Sequence, residues 1–396
     1  MRLSYRYRLY PTREQKARLE EQLDLCRSLY NLMLDQMRFI EREEGRTPSR
    51  FELQSLLPIL KQEHPEFQAV NSKALQMVLH QLYSNLKALS GLKKKGKKVG
   101  GLRFKGWGWY KTITFNQSGF KINGRKLWLS KIGEINIKLH RPVDGEIKQV
   151  KVKREQTGKW FAILAVEQEV RPQAKGAERK VGIDLGIYHY VADTSGLFVE
   201  HPHNIKKAEK KLAREQRRLS RKKEGSSNRA KQRLKVAGVH ERVANQRRDF
   251  LHKLSRYYVD SYSFIAVEDL DCKEMMETAH NARSHADSSW AAFLQMLGYK
   301  AERAGVRVVR VDPENTSQLC SSCGNYVEKG LWERVHSCPV CGFEADRDYN
   351  ASLNILKRAL ISVGQGLPES TPVETGPPPG HHVPASLVVE AGSPLR

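Results

Sequence analysis

Val181-Gly182-Ile183-Asp184-Leu185-Gly186 is a buried-strand pattern broken by a single acid. Strands covered on both faces read as continuous apolar runs. An unpaired carboxylate inside one is too costly to keep, so a metal or a cation is expected beside Asp184. The sequence around this stretch extends the pattern. Residues 188–192, the turn Asp193-Thr194-Ser195-Gly196 and residues 197–199 read as an antiparallel hairpin. Residues 264–267 and 306–311 read as two more buried strands, with a helix over residues 290–303 between them. Strand, hairpin, helix, strand, helix and strand in that order make an α/β layer.

Two further acids repeat the arrangement of the first. Glu268 ends the run Phe264-Ile265-Ala266-Val267-Glu268, and Asp348 precedes Tyr349-Asn350-Ala351-Ser352-Leu353-Asn354-Ile355-Leu356, a clear helix start. A helix packed beside the sheet would bring Asp184, Glu268 and Asp348 to one edge. Such a cluster repels itself without divalent cations, and two Mg²⁺ about 3.5–4 Å apart are the usual solution for phosphodiester hydrolysis. Each acid also has a plainer reading. Asp184 and Glu268 could be strand-end partners of a basic helix, and Asp348 or Asp346 could be an N-cap. Residue chemistry alone leaves Asp346 and Asp348 open.

The composition constrains the partner. The chain has 396 residues with 68 Lys and Arg against 44 Asp and Glu, a net charge of +24. That length allows roughly two to four folding units, and 39% hydrophobic residues suffice for real cores. A chain this basic repels itself unless a polyanion neutralises it, which points to nucleic acid. Residues 205–256 concentrate the charge in a long helical stretch with 19 Lys and Arg against 5 Asp and Glu. No run approaches the roughly 18 apolar residues of a membrane span. The start, Met1-Arg2-Leu3-Ser4-Tyr5-Arg6, lacks the apolar centre of a signal peptide, so a cytoplasmic protein is expected.

Four of the six cysteines form two close pairs, Cys320-Ser321-Ser322-Cys323 and Cys338-Pro339-Val340-Cys341, separated by 14 residues. In a chain that is not secreted this favours metal over disulfides. Two such turns place four thiolates tetrahedrally around one Zn²⁺, and a saturated quartet has no open position for water. The zinc is therefore expected to be structural. Gly324 and Gly342 follow the pairs and supply the backbone freedom of a tight knuckle.

The N-terminal part alternates between periods. Residues 3–9 read as a half-buried strand ended by Pro11, and Thr12-Arg13-Glu14-Gln15 as a capping box opening a helix with Leu19, Leu23, Cys26, Tyr30, Met33 and Met37 on one face. Residues 69–89 give a second helical block. Lys93-Lys94-Lys95-Gly96-Lys97-Lys98 is too flexible and self-repelling to pack and suits phosphate. Trp107, Trp109 and Tyr110 could then stack on bases or instead begin a core strand. From 112 to 170 the period is two, with strands expected over 113–115, 120–122, 127–129, 135–139, 147–152 and 160–166, a small barrel that the first strand joins. Residues 366–396 hold 7 of the 16 prolines and are expected to be disordered.

Gly182-Ile183-Asp184-Leu185-Gly186, Val267-Glu268-Asp269-Leu270, Thr316-Ser317-Gln318-Leu319-Cys320-Ser321-Ser322-Cys323-Gly324 and Asp346-Arg347-Asp348-Tyr349-Asn350-Ala351 together resemble TnpB, the transposon-associated RNA-guided DNA endonucleases related to compact type V CRISPR effectors. Tyr7 to Thr12 fits as well, and the resemblance spans residues 1 to about 362. It implies a multidomain α/β protein. The parts are a wedge β-barrel (1–10 and 107–175) carrying a helical recognition insert (11–106), and a RuvC nuclease domain of RNase H-like fold (176–315 and 345–364). A zinc ribbon (316–344) interrupts the nuclease domain, and a tail (365–396) follows it.

Carried over, Asp184, Glu268 and Asp348 match the three catalytic acids, the last because it lies two residues before Asn350. The cofactors implied are two Mg²⁺ on those acids and one Zn²⁺ on Cys320, Cys323, Cys338 and Cys341. The partners implied are a guide RNA from the transposon end and double-stranded target DNA beside a short flanking motif. No membrane partner is expected, the expected setting is a prokaryotic cytoplasm in association with the nucleoid, and a monomer is favoured with the oligomeric state left open. The alternatives are a nuclease-inactive RNA-guided repressor and an RNase H-like transposase. The latter generally places its glutamate last, on a helix, whereas Glu268 lies mid-chain on a strand.

Overall fold

The computed structural model describes residues 1–169, 179–272, 275, 277, 287–330, 332–364 and 381–385. The chain forms two units, Met1–Glu169 and Val170–Arg396. The expected boundary at residues 175 and 176 lies outside the described residues.

In the first unit, β1 (Arg2–Tyr10) buries Tyr5, Tyr7 and Leu9 and leaves Arg2 and Ser4 outside. It pairs antiparallel with β5 (Gly133–Lys138) on one side and β7 (Trp160–Glu167) on the other. With β2 (Thr112–Asn116), β3 (Phe120–Asn123), β4 (Lys126–Leu129) and β6 (Glu146–Arg154) it makes a seven-stranded sheet ordered β2-β6-β7-β1-β5-β4-β3. All six strands read from the period-two region form, within a few residues of their expected ends. The two edge strands, β2 and β3, are separated in the chain only by Gln117–Gly119. Four Cα steps span at most about 15 Å, so the edges are drawn together and the sheet curls toward a barrel.

Between β1 and β2 lie α1 (Arg13–Glu44), α2 (Arg50–Ser55), α3 (Leu57–Glu63) and α4 (Ser72–Lys94). The Thr12 hydroxyl accepts from the Gln15 N–H at 3.3 Å, and the Thr12 N–H donates back to the Gln15 side chain at 3.0 Å, closing the expected capping box. The apolar stripe of α1 is buried with Leu75, Val78, Leu79 and Leu82 of α4 and the inner face of the sheet in one core. Cys26 belongs to that core, and burial pushes its thiol up to about 12.

In the second unit, β8 (Lys180–Asp184), β9 (His189–Asp193) and β10 (Leu197–Glu200) form an antiparallel meander. Helices α5 (Asn204–Ser220) and α6 (Ser227–Ser261) lead to β11 (Phe264–Glu268), and α7 (Trp290–Ala304) leads to β12 (Arg307–Val311). β11 runs parallel to both β8 and β12. Alternate residues of β11 serve two cores, as a period of two demands. Ile265 and Val267 pack with Phe250, Leu254 and Tyr258 of α6 and Phe293 and Leu297 of α7. Phe264 and Ala266 pack instead with Ile355, Ala359 and Leu360 of the last helix, which with β13 and β14 is described below. The sheet is therefore covered on both faces, which is why its strands read as unbroken apolar runs.

One expectation needs correction. Within 365–396, residues 381–385 are ordered: β15 (His381–Val383) adds parallel to β10, completing the order β12-β11-β8-β9-β10-β15. His382 stacks on Phe198 with ring centroids 5.1 Å apart, and Ala385 is buried. An exposed strand edge is a template for pairing, and that edge orders a stretch whose composition reads as coil. The other residues of the tail lie outside the described ones. Among the described residues no helix is long and apolar enough to cross a membrane.

Candidate functional site

The sheet register brings the first two acids together. β8 and β11 are parallel with Ile183 opposite Val267, so Asp184 and Glu268, the next residue on each strand, end at one edge. The third arrives on a helix. Two short strands, β13 (Val335–Ser337) and β14 (Glu344–Asp346), pair antiparallel, and β14 runs straight into α8 (Arg347–Ser362). α8 crosses β8 so closely that a Cβ on Gly182 would lie 2.2 Å from the Ser352 carbonyl oxygen and 2.8 Å from Leu356 Cβ. Only glycine permits that approach. A Cβ on Gly186 would in turn come within 3.9 Å of Asp348 Oδ2, which places the first turn of α8 at the acid edge.

Asp346 and Asp348, which residue chemistry left open, take different places. Asp346 is the N-cap: its Oδ1 accepts from the N–H groups of Asp348 at 2.8 Å and Tyr349 at 3.3 Å. Asp348 turns inward and is only 8% exposed, as is Glu268.

Burial dominates the electrostatics of all three acids. It raises Asp184 well above the ordinary carboxylate range, with the Glu268 and Asp348 charges raising it further. Glu268 is raised by burial and lowered by the Thr316 hydroxyl, which donates to its Oε1 at 2.6 Å. Asp348 is raised by burial and lowered by Arg334, whose guanidinium pairs with it and lies 4.8 Å over the Tyr188 ring. The sequence marks Thr316 only as part of a motif and Arg334 not at all, because their reach to the acids depends on the folding of the segment between β12 and α8.

That segment holds the four cysteines. Cys320 and Cys341 sulfurs stand 3.6 Å apart, as do those of Cys323 and Cys338, and all four donor atoms lie within 4.8 Å of one another. A tetrahedron with Zn–S bonds near 2.3 Å has edges of about 3.8 Å, so the quartet fits one Zn²⁺. Each turn is closed by its own backbone, Gly324 N–H to Cys320 O at 2.8 Å and Gly342 N–H to Cys338 O at 2.9 Å. The thiols shift in opposite directions: the Cys341 backbone N–H does most to lower Cys338, to about 6, while burial raises Cys320 and Cys323 is raised to about 12. It is therefore the sulfur geometry that speaks for the metal. Among the described residues this quartet is the one group of three or more such side chains placed to hold a metal ion together.

Two buried asparagines tie the quartet to the acids. Asn350 donates to Leu319 O at 2.8 Å and accepts from the Ser321 N–H at 2.9 Å. Asn354, one turn on, donates to Thr316 O and Leu319 O. Amides spaced i, i+4 on the buried face of a helix are the signal that could have exposed this clamp.

The family model described as "Probable transposase" matches residues 163–279, "Cas12f1-like, TNB domain" matches 290–355, and "Helix-turn-helix domain" matches 1–44. A "Putative RNA-guided DNA endonuclease" of Streptomyces pristinaespiralis is 33% identical over 370 residues, covering 92% of this chain and 90% of the relative. The chain belongs to the TnpB family. A second relative, from Escherichia coli strain K12 and also named for RNA-guided DNA cleavage, is 31% identical over 270 residues, 64% of this TnpB-family chain and 67% of its own. The cryo-EM structure of a Cas12f1-sgRNA-target DNA complex superposes with a TM-score of 0.54 at 15% identity, covering 87% of this chain and 83% of that one. Likeness at that identity speaks for the fold alone. Residues 1–44, matched as helix-turn-helix, form β1 and the single helix α1 in this TnpB-family fold.

Proposed function

We propose that this chain is an RNA-guided DNA endonuclease of transposon origin. It would hydrolyse guide-complementary DNA beside a short flanking motif, with Asp184, Glu268 and Asp348 as catalytic carboxylates. The observation that carries the reading is the convergence of three acids from distant parts of the chain on one sheet edge, where burial raises all three. An antiparallel meander extended by two parallel strands supports a RuvC domain of RNase H-like fold for the second unit. The curled sheet and its helical insertion support the wedge and recognition roles for the first. The relatives' names support guide RNA and double-stranded DNA as partners.

The three acids offer oxygen donors, and their mutual repulsion suits hard divalent cations. Two Mg²⁺ held there would supply an activated water and charge stabilisation at the leaving oxygen. The chain's own residues do the rest. Asp184 and Glu268 present their carboxylates from rigid strand ends, and the Thr316 hydroxyl fixes the orientation of Glu268. Asp346 caps α8 and so sets where Asp348 points. Arg334 balances the Asp348 charge. The cysteine quartet, with no open ligand position, holds its ribbon against α8 and takes no part in the chemistry.

Exchanging a DNA duplex for an RNA–DNA hybrid is nearly balanced in energy, so Lys and Arg contacts to the backbone must tip it. The basic α5 and α6 are suited to that work. The test is to purify the chain with its RNA, sequence that RNA, and add Mg²⁺ with a plasmid carrying the matching target beside a randomised flank. Cleavage of the matched plasmid alone is expected. Target binding without cleavage would leave a guided repressor, and strand-transfer products a transposase.

A further inference from the structure

The first unit carries an aromatic surface that the nuclease reading does not use. Trp107 is 81% exposed and Trp109 is 74% exposed, two residues apart in Gly106-Trp107-Gly108-Trp109. Large apolar side chains left in water together mark an interaction site. The turn that presents them is held firmly. Asn31 of α1 brackets Lys105 with both ends of its amide, donating to Lys105 O at 3.0 Å and accepting from Lys105 N–H at 2.7 Å. Arg38, also of α1, donates to Leu102 O at 2.5 Å. The turn closes with Trp109 N–H to Gly106 O at 3.1 Å, and Gly108 sits at φ 74°, where glycine is favoured. On the far side Tyr110 packs against the core.

The surroundings say what would cover it. Residues 67–133 contain 14 Lys and Arg and no Asp or Glu at all. Lys111 Nζ lies 5.8 Å over the Trp109 ring, and Arg38 lies 4.7 Å over Phe104. Cations between exposed, pre-positioned aromatic rings are the features with which proteins hold unpaired nucleotides, phosphates on the charges and bases on the rings. A protein partner with an apolar patch would leave those charges without counterparts.

We propose that Trp107 and Trp109 form a stacking platform for unpaired nucleotides of RNA, with the acid-free segment around them neutralising the phosphates. This rests on the guided-nuclease reading for the choice of RNA. A resident guide offers loops and ends that are unpaired at all times, whereas a DNA duplex keeps its bases stacked until its strands separate.

The test uses the full chain freed of nucleic acid and a short oligouridine as probe. Oligouridine is expected to quench tryptophan emission, and Trp107→Ala with Trp109→Ala should weaken binding about tenfold or more. The same double change to Phe should keep most of the affinity while removing most of the quench. Thermal melting of these variants should match the parent, since both indoles are exposed, and the salt dependence of binding should keep its slope, since neither ring contacts phosphate. Unchanged affinity in the Ala variant overturns the platform. Displacement of oligouridine by an equal concentration of oligodeoxythymidine overturns the assignment to RNA. Neither measurement needs metal, target or cleavage. A chain that never cuts DNA can therefore still bear out the platform, and one that cuts guided DNA can still refute it.

Discussion

The four thiolates and the three carboxylates both form sites suited to cations, and they are built in opposite ways. The thiolates come from one short stretch, and each pair is set by a turn that its own backbone closes. Their sulfurs pair at 3.6 Å in a geometry that needs little from the rest of the fold. The carboxylates come from Asp184, Glu268 and Asp348, and meet only because two parallel strands end together and α8 crosses Gly182. No single turn holds all three, and burial works against their charge. The local site supports the distant one: the segment that the thiolates fold supplies Thr316 to Glu268, Arg334 to Asp348 and the backbone acceptors for Asn350 and Asn354.

The sharpest way to break this comparison is to remove the zinc. Binding at such sites contributes roughly 10–16 kcal/mol in small zinc peptides, so Cys338→Ser should cost the ribbon most of its order. Metal content by atomic absorption should fall to background. DNA cleavage should fall with it, although no thiolate belongs to the acid edge. Full activity in a zinc-free variant would show that the two sites are independent.

The second test strikes the carboxylates directly. Charge stabilisation by metal is worth several kcal/mol in a transition state, and each 1.4 kcal/mol is about tenfold. Asp184→Ala should therefore slow plasmid cleavage by at least about a thousandfold while zinc content and copurified RNA stay at parental levels. A variant that still cuts would remove the proposed site.

Gly182→Ala probes the contact that assembles the trio. Its methyl would overlap the Ser352 carbonyl, an atom of the helix backbone that cannot swing aside. Overpacking of this kind costs about 1–3 kcal/mol or more, read as a lower melting temperature. Because the displaced helix carries Asp348, cleavage should fall further than the stability loss alone explains.

The same contrast explains what could be read from the sequence. The cysteine spacing, the capping box at Thr12 and the period-two strands are local patterns, and each forms where its residues indicate. Asp184 and Glu268 stood out because an acid in an apolar strand demands a reason. What escaped depends on distant partners. Asp346 and Asp348 are chemically alike and differ only in which way the first turn of α8 faces. Arg334 is one of many arginines until the β13–β14 ribbon sets it beside Asp348. The β15 strand lies in a proline-rich tail and pairs with the edge of β10, a partner far along the chain. Composition averaged over the tail hides three residues that pair.

The smallest expected effect concerns stability without divalent metal, and its sign follows from the raised carboxylates. Asp184 is held well above its ordinary range by burial and by the Glu268 and Asp348 charges. Between the unfolded value, about 3.9, and the folded one, the native state binds more protons than the unfolded state. Stability from this group is therefore fully present below the unfolded pKa and is lost as pH rises through the folded pKa. Asp184→Asn keeps the shape and removes the titration. In chelator, the variant should melt higher than the parent near neutral pH, and its advantage should shrink as the pH falls toward 4. Added Mg²⁺ should reverse the order by raising the melting temperature of the parent more than that of the variant, since a bound cation rewards the charge that burial penalises. The zinc quartet predicts no such response to Mg²⁺, because soft thiolates do not select that hard cation. A parent that outlasts Asp184→Asn in chelator at neutral pH would mean that Arg334 and its neighbours already neutralise the trio, and the contrast between the two sites would lose its electrostatic basis.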